Sequence, residues 1–153
     1  MRAFILLLLV VSYLFGEQYV FLLNKSDTEK EYEAKIISKI ASVSLKDKIK
    51  VYIPNISKEE KKIYLKYFYV TKSCHMANFI FDNKGSIPVE CQNSDKLFFT
   101  NNYRRLLSDR KYYGAFFWNK SRPNIVFIKK RLKEYNVKLP TEYSQYIEDI
   151  YSE

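Results

Sequence analysis

The stretch that most constrains this chain is Tyr112-Tyr-Gly-Ala-Phe-Phe-Trp118. In a strand, alternate residues point to opposite faces. One face is then Tyr112, Gly114, Phe116 and Trp118, and the other is Tyr113, Ala115 and Phe117. Both are apolar, so the strand must be covered on both sides, as interior strands of layered α/β sheets are. The polar turn Asn119-Lys-Ser-Arg122 and the apolar run Pro123–Ile128 make it the first arm of a hairpin. Pro123 stands at the first position of the return strand, where a missing N–H is tolerated. Gly114 inside a strand pattern predicts a bulge or a close backbone approach.

The chain around the hairpin supplies both layers. Tyr32, Ile36, Ile37, Ile40 and Val43 recur at helical spacing between Glu29 and Val43, behind a capping box at Ser26-x-x-Glu29. Lys48–Ile53 alternates as a half-exposed strand ended by Pro54. Ser57 opens a second helix carrying Ile63, Leu65 and Phe68. Tyr69–Lys72 and Ala77–Phe81 read as further strands, the latter ended by the turn Asp82-Asn-Lys-Gly85. Leu97-Phe-Phe99 is a strand leading into a short helix capped by Thr100 or Asn101. A basic helix follows over Lys129–Asn136, then Pro140, then a terminal helix over Thr141–Tyr151. Tyr19–Leu23 is an apolar run that reads as a first strand or as the approach to a helix. The expectation is a single-domain α/β sandwich, with a mixed sheet flanked by helices, a C-terminal hairpin and a terminal helix.

At the N-terminus, Met1-Arg2 precedes the apolar run Ala3–Phe15 and the small residue Gly16. This is the pattern of a secretory signal peptide over residues 1–16, leaving a domain over 17–153. The run is short of the roughly 20 apolar residues a spanning helix needs. The rival reading is an uncleaved anchor continuing through Tyr19–Leu23, which must bury Glu17 and Gln18. Cleavage places the domain in the periplasm. In that compartment the two cysteines, Cys74 and Cys91, read as a disulfide; the alternative is two buried free thiols.

Chemistry is sparsely advertised. Three glycines and one histidine leave no glycine-rich phosphate loop and no two-histidine metal scheme. Cys74 and His75 are adjacent, so in an extended segment they point apart. The acidic pairs Glu59-Glu60 and Glu148-Asp149 fall on exposed helix faces. No enzyme, cofactor or metal centre is expected. The net charge of +9 reads as lysines on solvated faces, or as attraction to an acidic partner or an anionic membrane surface. Nucleic acid is not an expected partner of an exported chain without a recognised binding motif. The residues that invite a binding role are Arg104, Arg105 and Arg122, with Tyr103 and Trp118. An arginine beside an aromatic ring serves as an interface anchor or an anion clamp; the plain alternative is scattered surface charge with Trp118 in the core.

The second half of the chain resembles the YfiR-like periplasmic proteins. The resemblance lies in Cys74-His-Met-Ala-Asn-Phe-Ile-Phe81, in Leu97-Phe-Phe-Thr100 followed by a short helix, and in the run from Gly114 to Tyr143. Gly114, Arg122, Ile125, Phe127, Leu132, Val137 and Leu139 fall where that pattern has them. The chain departs from it at Leu45-Lys46, where Trp-Pro is common, and at Lys129-Lys130, where Asn is expected. The resemblance spans roughly residues 32–150. It implies a non-enzymatic periplasmic regulator that restrains an inner-membrane signalling protein of diguanylate cyclase or sensor kinase type. Trp118, Arg122 and adjacent aromatics would form the contact surface, and a homo-oligomer is compatible with it. The other hypothesis from the residues is a small binding protein for an anionic ligand. It would need a cleft lined by Arg104, Arg105 and Arg122 with Tyr103 and Trp118.

Overall fold

A computed structural model describes residues 28–92 and 95–150. The expected signal peptide, the Tyr19–Leu23 run and the Ser26 cap lie outside the described residues. Eleven elements build one mixed sheet and its covering helices. They are α1 (Glu29–Ser44), β1 (Lys50–Tyr52), α2 (Lys58–Tyr64), β2 (Tyr69–Val70), β3 (Phe79–Asp82), β4 (Leu97–Thr100), α3 (Tyr103–Ser108), β5 (Tyr112–Asn119), β6 (Arg122–Ile128), α4 (Lys129–Glu134) and β7 (Ile147–Glu148). The α/β sandwich expected from the sequence is the fold observed.

The sheet order is β2-β1-β3-β4-β5-β6-β7. The first five strands run parallel, and their order is that of doubly wound, flavodoxin-like sheets. The hairpin then reverses direction, with β6 antiparallel to β5 and β7 parallel to β6. The terminal helix expected over 141–151 is instead a 3-10 turn, Thr141–Tyr146, that delivers the short strand β7. Tyr143, Tyr146 and Ile147 pack on the α1-side core, with Tyr143 buried against Phe127, whereas Ile150 packs on the disulfide face, so the single helical stripe expected of Tyr143, Tyr146, Ile147 and Ile150 is split.

One face of the sheet carries Val51, Phe79, Phe81, Phe99, Tyr113, Phe116 and Phe127 against α1 and α2. In α1, Ile36, Ile37 and Ile40 are almost wholly buried, each contributing about 1.5–3 kcal/mol. The other face carries Ile80, Phe98, Tyr112, Ala115 and Val126 against Leu106 of α3 and the two cysteines. Cys74 and Cys91 form a disulfide, with Cα atoms 5.6 Å apart. It joins two 3-10 turns, Cys74–Met76 and Val89–Cys91, so the covering layer that lacks a long helix is stapled covalently.

The face assignment of β5 shifts by one residue at its start. Phe98 pairs with Tyr112 but Phe99 pairs with Gly114, so a bulge falls between them. Tyr112 therefore joins Ala115 and Phe117 on the disulfide face, while Tyr113 joins Phe116 and Trp118 on the α1 face. The alternation read from the sequence is corrected there, because a bulge spends one extra residue. Gly114 is where both expectations for it meet. A Cβ at this position would lie 2.7 Å from ring atoms of Phe99 and Phe127 and 2.9 Å from the Val126 carbonyl oxygen.

Helix caps follow local chemistry. Thr28 caps α1, and Ser57 with Glu60 forms a full capping box on α2. The cap of α3 is Asn102, whose side chain accepts from the Arg105 amide at 3.0 Å. Thr100 is not free for that role: its hydroxyl donates to the Asp82 carbonyl at 3.0 Å.

Candidate functional site

Open α/β sheets present ligand sites beyond the C-terminal ends of their parallel strands, at the point where strand order reverses. Here that point lies between β1 and β3. Asp82, the last residue of β3, is fully buried. Its Oδ1 accepts from the amides of Gly85 at 2.7 Å and of Lys84 and Ser86 at 3.3 Å. Its Oδ2 accepts from the Tyr112 hydroxyl at 2.5 Å and pairs with Arg105 Nη1 at 3.3 Å. The same Arg105 nitrogen donates to the Asp82 carbonyl and to Thr100 Oγ1, both at 3.1 Å. Burial, and then the bond to Asp82, push the Tyr112 hydroxyl well above the ordinary tyrosine range. Gly85 has φ +73°, and a Cβ there would lie 2.7 Å from the Arg105 guanidinium.

The crevice beside this knot is bridged as well. Lys84 Nζ donates to the Asn55 carbonyl at 2.8 Å, and Asn55 Nδ2 donates to Ser86 Oγ at 2.8 Å. Asn83 Oδ1 is the one buried side-chain oxygen without a hydrogen-bond partner among the described residues, a single acceptor rather than a ligand set. No group of three metal-ligating side chains occurs among the described residues. The charges that reach this edge are held by one another.

The sequence-selected residues separate. Arg105 belongs to the Asp82 knot. Arg104 is exposed on α3. Tyr103 packs against Phe117 as a tilted pair, centroids 5.2 Å apart, on the disulfide face. Trp118 sits on the opposite face, against Tyr32 at 5.8 Å and Phe116 at 5.7 Å. Arg122 is exposed where β6 begins, paired across the hairpin with Asn119. The arginines do not converge on one cleft with Tyr103 and Trp118.

Trp118 packs on Tyr32 and Phe116, which line a groove that the sequence did not reveal, and Arg122 precedes a third lining residue, Pro123. Tyr32, Ile36, Lys39 and Val43 form one stripe of α1 facing the start of β6 and the 3-10 turn Thr141–Tyr146. Two cavities lie along this seam and share Tyr146 as a wall. One of about 110 Å³ is lined by Tyr32, Ile36, Phe116, Pro123 and Ile125 among others. The other, about 230 Å³, lies beside Lys39, Val43 and Glu142. Both are smaller than the roughly 300–1,000 Å³ typical of small-molecule pockets. The helical stripe was legible as spacing. That one part of it lines open space depends on the 3-10 turn, which the sequence read as a helix.

No family model, curated protein or solved structure matches the chain. Among the described residues, no helix is long and apolar enough to cross a membrane.

Proposed function

We propose that this chain is an exported, non-enzymatic regulator that binds and restrains an inner-membrane signalling protein of diguanylate cyclase or sensor kinase type. The observation that carries the reading is the contrast between the C-terminal ends of the parallel strands and the α1 side of the hairpin. At the C-terminal edge of the parallel strands, Asp82, Arg105, Tyr112 and Lys84 are committed to internal partners. Along α1 and β6 lies an aromatic-lined groove, and the exposed Arg122 precedes its lining residue Pro123 in the chain. Apolar, aromatic-walled ground with a neighbouring arginine is the composition of a docking surface. The disulfide fits an oxidising compartment, and the resemblance to YfiR-like proteins supplies the class of partner. The anionic-ligand alternative loses support because its arginines are dispersed.

The test is recovery of partners from detergent-solubilised membranes with the tagged exported protein, beside Trp118→Ala and Arg122→Glu. Arg122 is exposed and its replacement leaves the core untouched, which guards against misreading a folding defect at Trp118. Recovery of one inner-membrane signalling protein, lost with Arg122→Glu, supports the reading. Recovery that both variants leave unchanged moves the contact elsewhere, and no recovery with the wild-type protein overturns it.

A further inference from the structure

We infer that the outer edge of β6 at Pro123–Ile125 receives an extended, acidic and apolar segment of a partner protein, which adds a short strand there and seats one aliphatic side chain in the 110 Å³ notch. This rests on the docking reading above and gives it a mode and a place.

The register of the hairpin carries the inference. Lys120 and Ser121 have φ +48° and +61°, the signature of a two-residue type I′ turn. In such a hairpin the flanking pair, here Asn119 and Arg122, exchanges hydrogen bonds, and bonded pairs then alternate. The pairs Phe117–Asn124 and Ala115–Val126 therefore face each other. Pro123, Ile125 and Phe127 direct their backbone polar groups away from β5. Strand β7 covers that outer edge only at Phe127 and Ile128. Upstream of it the chain is the 3-10 turn Thr141–Tyr146, which makes no strand pairing with Ile125.

Among the described residues nothing bonds the outward amide and carbonyl of Ile125. Yet Ile125 is only 7% exposed, and buried backbone groups are nearly always paired. These groups open on the notch walled by Tyr32, Ile36, Phe116 and Tyr146. An added strand satisfies the backbone while its alternate side chain enters the notch, as in β-strand addition. Pro123 lacks an N–H, so the pairing is short.

Charge selects the occupant. Lys120 and Arg122 are exposed at the turn end of the same hairpin, next in the chain to the notch residue Pro123, and form no ion pair with a described residue. The chain carries +9 overall. A second copy would set these cations against themselves, and proline with basic residues on an edge discourages self-pairing. An acidic segment is complementary.

The probe is a labelled octapeptide of alternating valine and glutamate, titrated by fluorescence anisotropy into the purified protein. Three peptides accompany it: the valine–lysine analogue, and two valine–glutamate peptides N-methylated on alternate amides in opposite phases. Saturable binding is expected for the parent and for one methylated phase. The other phase should bind about tenfold more weakly, as for one lost hydrogen bond. Arg122→Glu should weaken the valine–glutamate peptide and favour the valine–lysine one. Absence of saturable binding, or equal binding by both methylated phases, overturns strand addition. Sedimentation as a dimer that the peptide dissociates assigns the edge to a second copy and overturns the heterologous segment. If a signalling protein is captured but the peptide does not compete with it, the edge assignment falls while the regulator reading stands.

Discussion

Replacing Asp82 should cost more stability than replacing any other carboxylate among the described residues. Its carboxylate answers three backbone amides, one tyrosine hydroxyl and one guanidinium, all while fully buried. Asp82→Ala strands those donors. Breaking a buried charged network by removing one partner costs about 3–5 kcal/mol, which for a domain of this size lowers Tm by about 10–15 °C. Tyr112→Phe removes a single bond to that carboxylate and should cost about 1.5–3 kcal/mol. If Asp82 is the common partner, the two losses are not additive: in the Asp82→Ala background, Tyr112→Phe should cost at least ~1 kcal/mol less. The assay is urea unfolding of the four proteins followed by far-ultraviolet circular dichroism, with peptide binding measured on each folded variant. The knot is structural, so Tyr112→Phe should leave binding of the valine–glutamate peptide unchanged. A loss below about 1 kcal/mol for Asp82→Ala refutes the reasoning. So does a Tyr112→Phe variant of normal stability that no longer binds, because the edge would then be the binding site.

Three further outcomes follow from single contacts. Gly114→Ala drives a methyl group to 2.7 Å from two rings and toward a backbone oxygen; overpacking of this kind should cost about 1–3 kcal/mol, read as a lowered denaturation midpoint. Replacing both Cys74 and Cys91 by serine opens a loop with a sequence separation of 17 and should remove about 3 kcal/mol, with reductant lowering the wild-type Tm but not that of the variant. At Glu60, burial raises the pKa but is outweighed by the Ser57 amide and the charges of Lys30 and Lys84, so the folded value lies below the ordinary one. A depressed carboxylate contributes stability above its unfolded pKa and loses it as pH falls through the folded value. Stability should therefore fall as pH drops from the unfolded carboxylate range through the lower folded value, and Glu60→Gln should lower neutral stability and flatten that part of the pH–stability curve.

The sequence was most readable where a single periodicity decides the outcome. The stripe on α1, the doubly apolar β5 and the strand-breaking polar turn at Lys120-Ser121 each follow from spacing alone, and the paired cysteines from compartment. It was least readable where one residue changes phase or where partners are distant. The bulge before Gly114 swaps the faces of Tyr112 and Tyr113, and only that swap delivers the Tyr112 hydroxyl to Asp82. Arg105 looked like a surface cation because its partners lie 23 and 5 residues away at Asp82 and Thr100. Arg131 is more extreme: it is buried, and its Nη1 donates to the carbonyls of Leu106 at 2.6 Å, Tyr112 at 2.7 Å and Asp109 at 3.1 Å. It closes the end of α3 from a helix that read simply as basic.

These distant pairings also bear on where binding takes place. A sheet whose first five strands follow the doubly wound order presents its natural crevice at β1 and β3. On this chain the residues reaching that crevice form a closed account, with Lys84 across to Asn55 and Asn55 across to Ser86. A ligand entering there must break those bonds before making its own, which raises the cost of binding at the very place the fold would otherwise favour. The antiparallel addition after β5 changes the economy of the surface. It creates a new outer strand, β6, whose edge is paired at one end with β7 and unpaired at the other. Aromatic walls and outward backbone groups meet there because the hairpin turn fixes the register and β7 pairs only with Phe127 and Ile128. Docking at that edge would use groups that have no competing partner among the described residues, which is why the proposed recognition falls on the hairpin side rather than at the ends of the parallel strands.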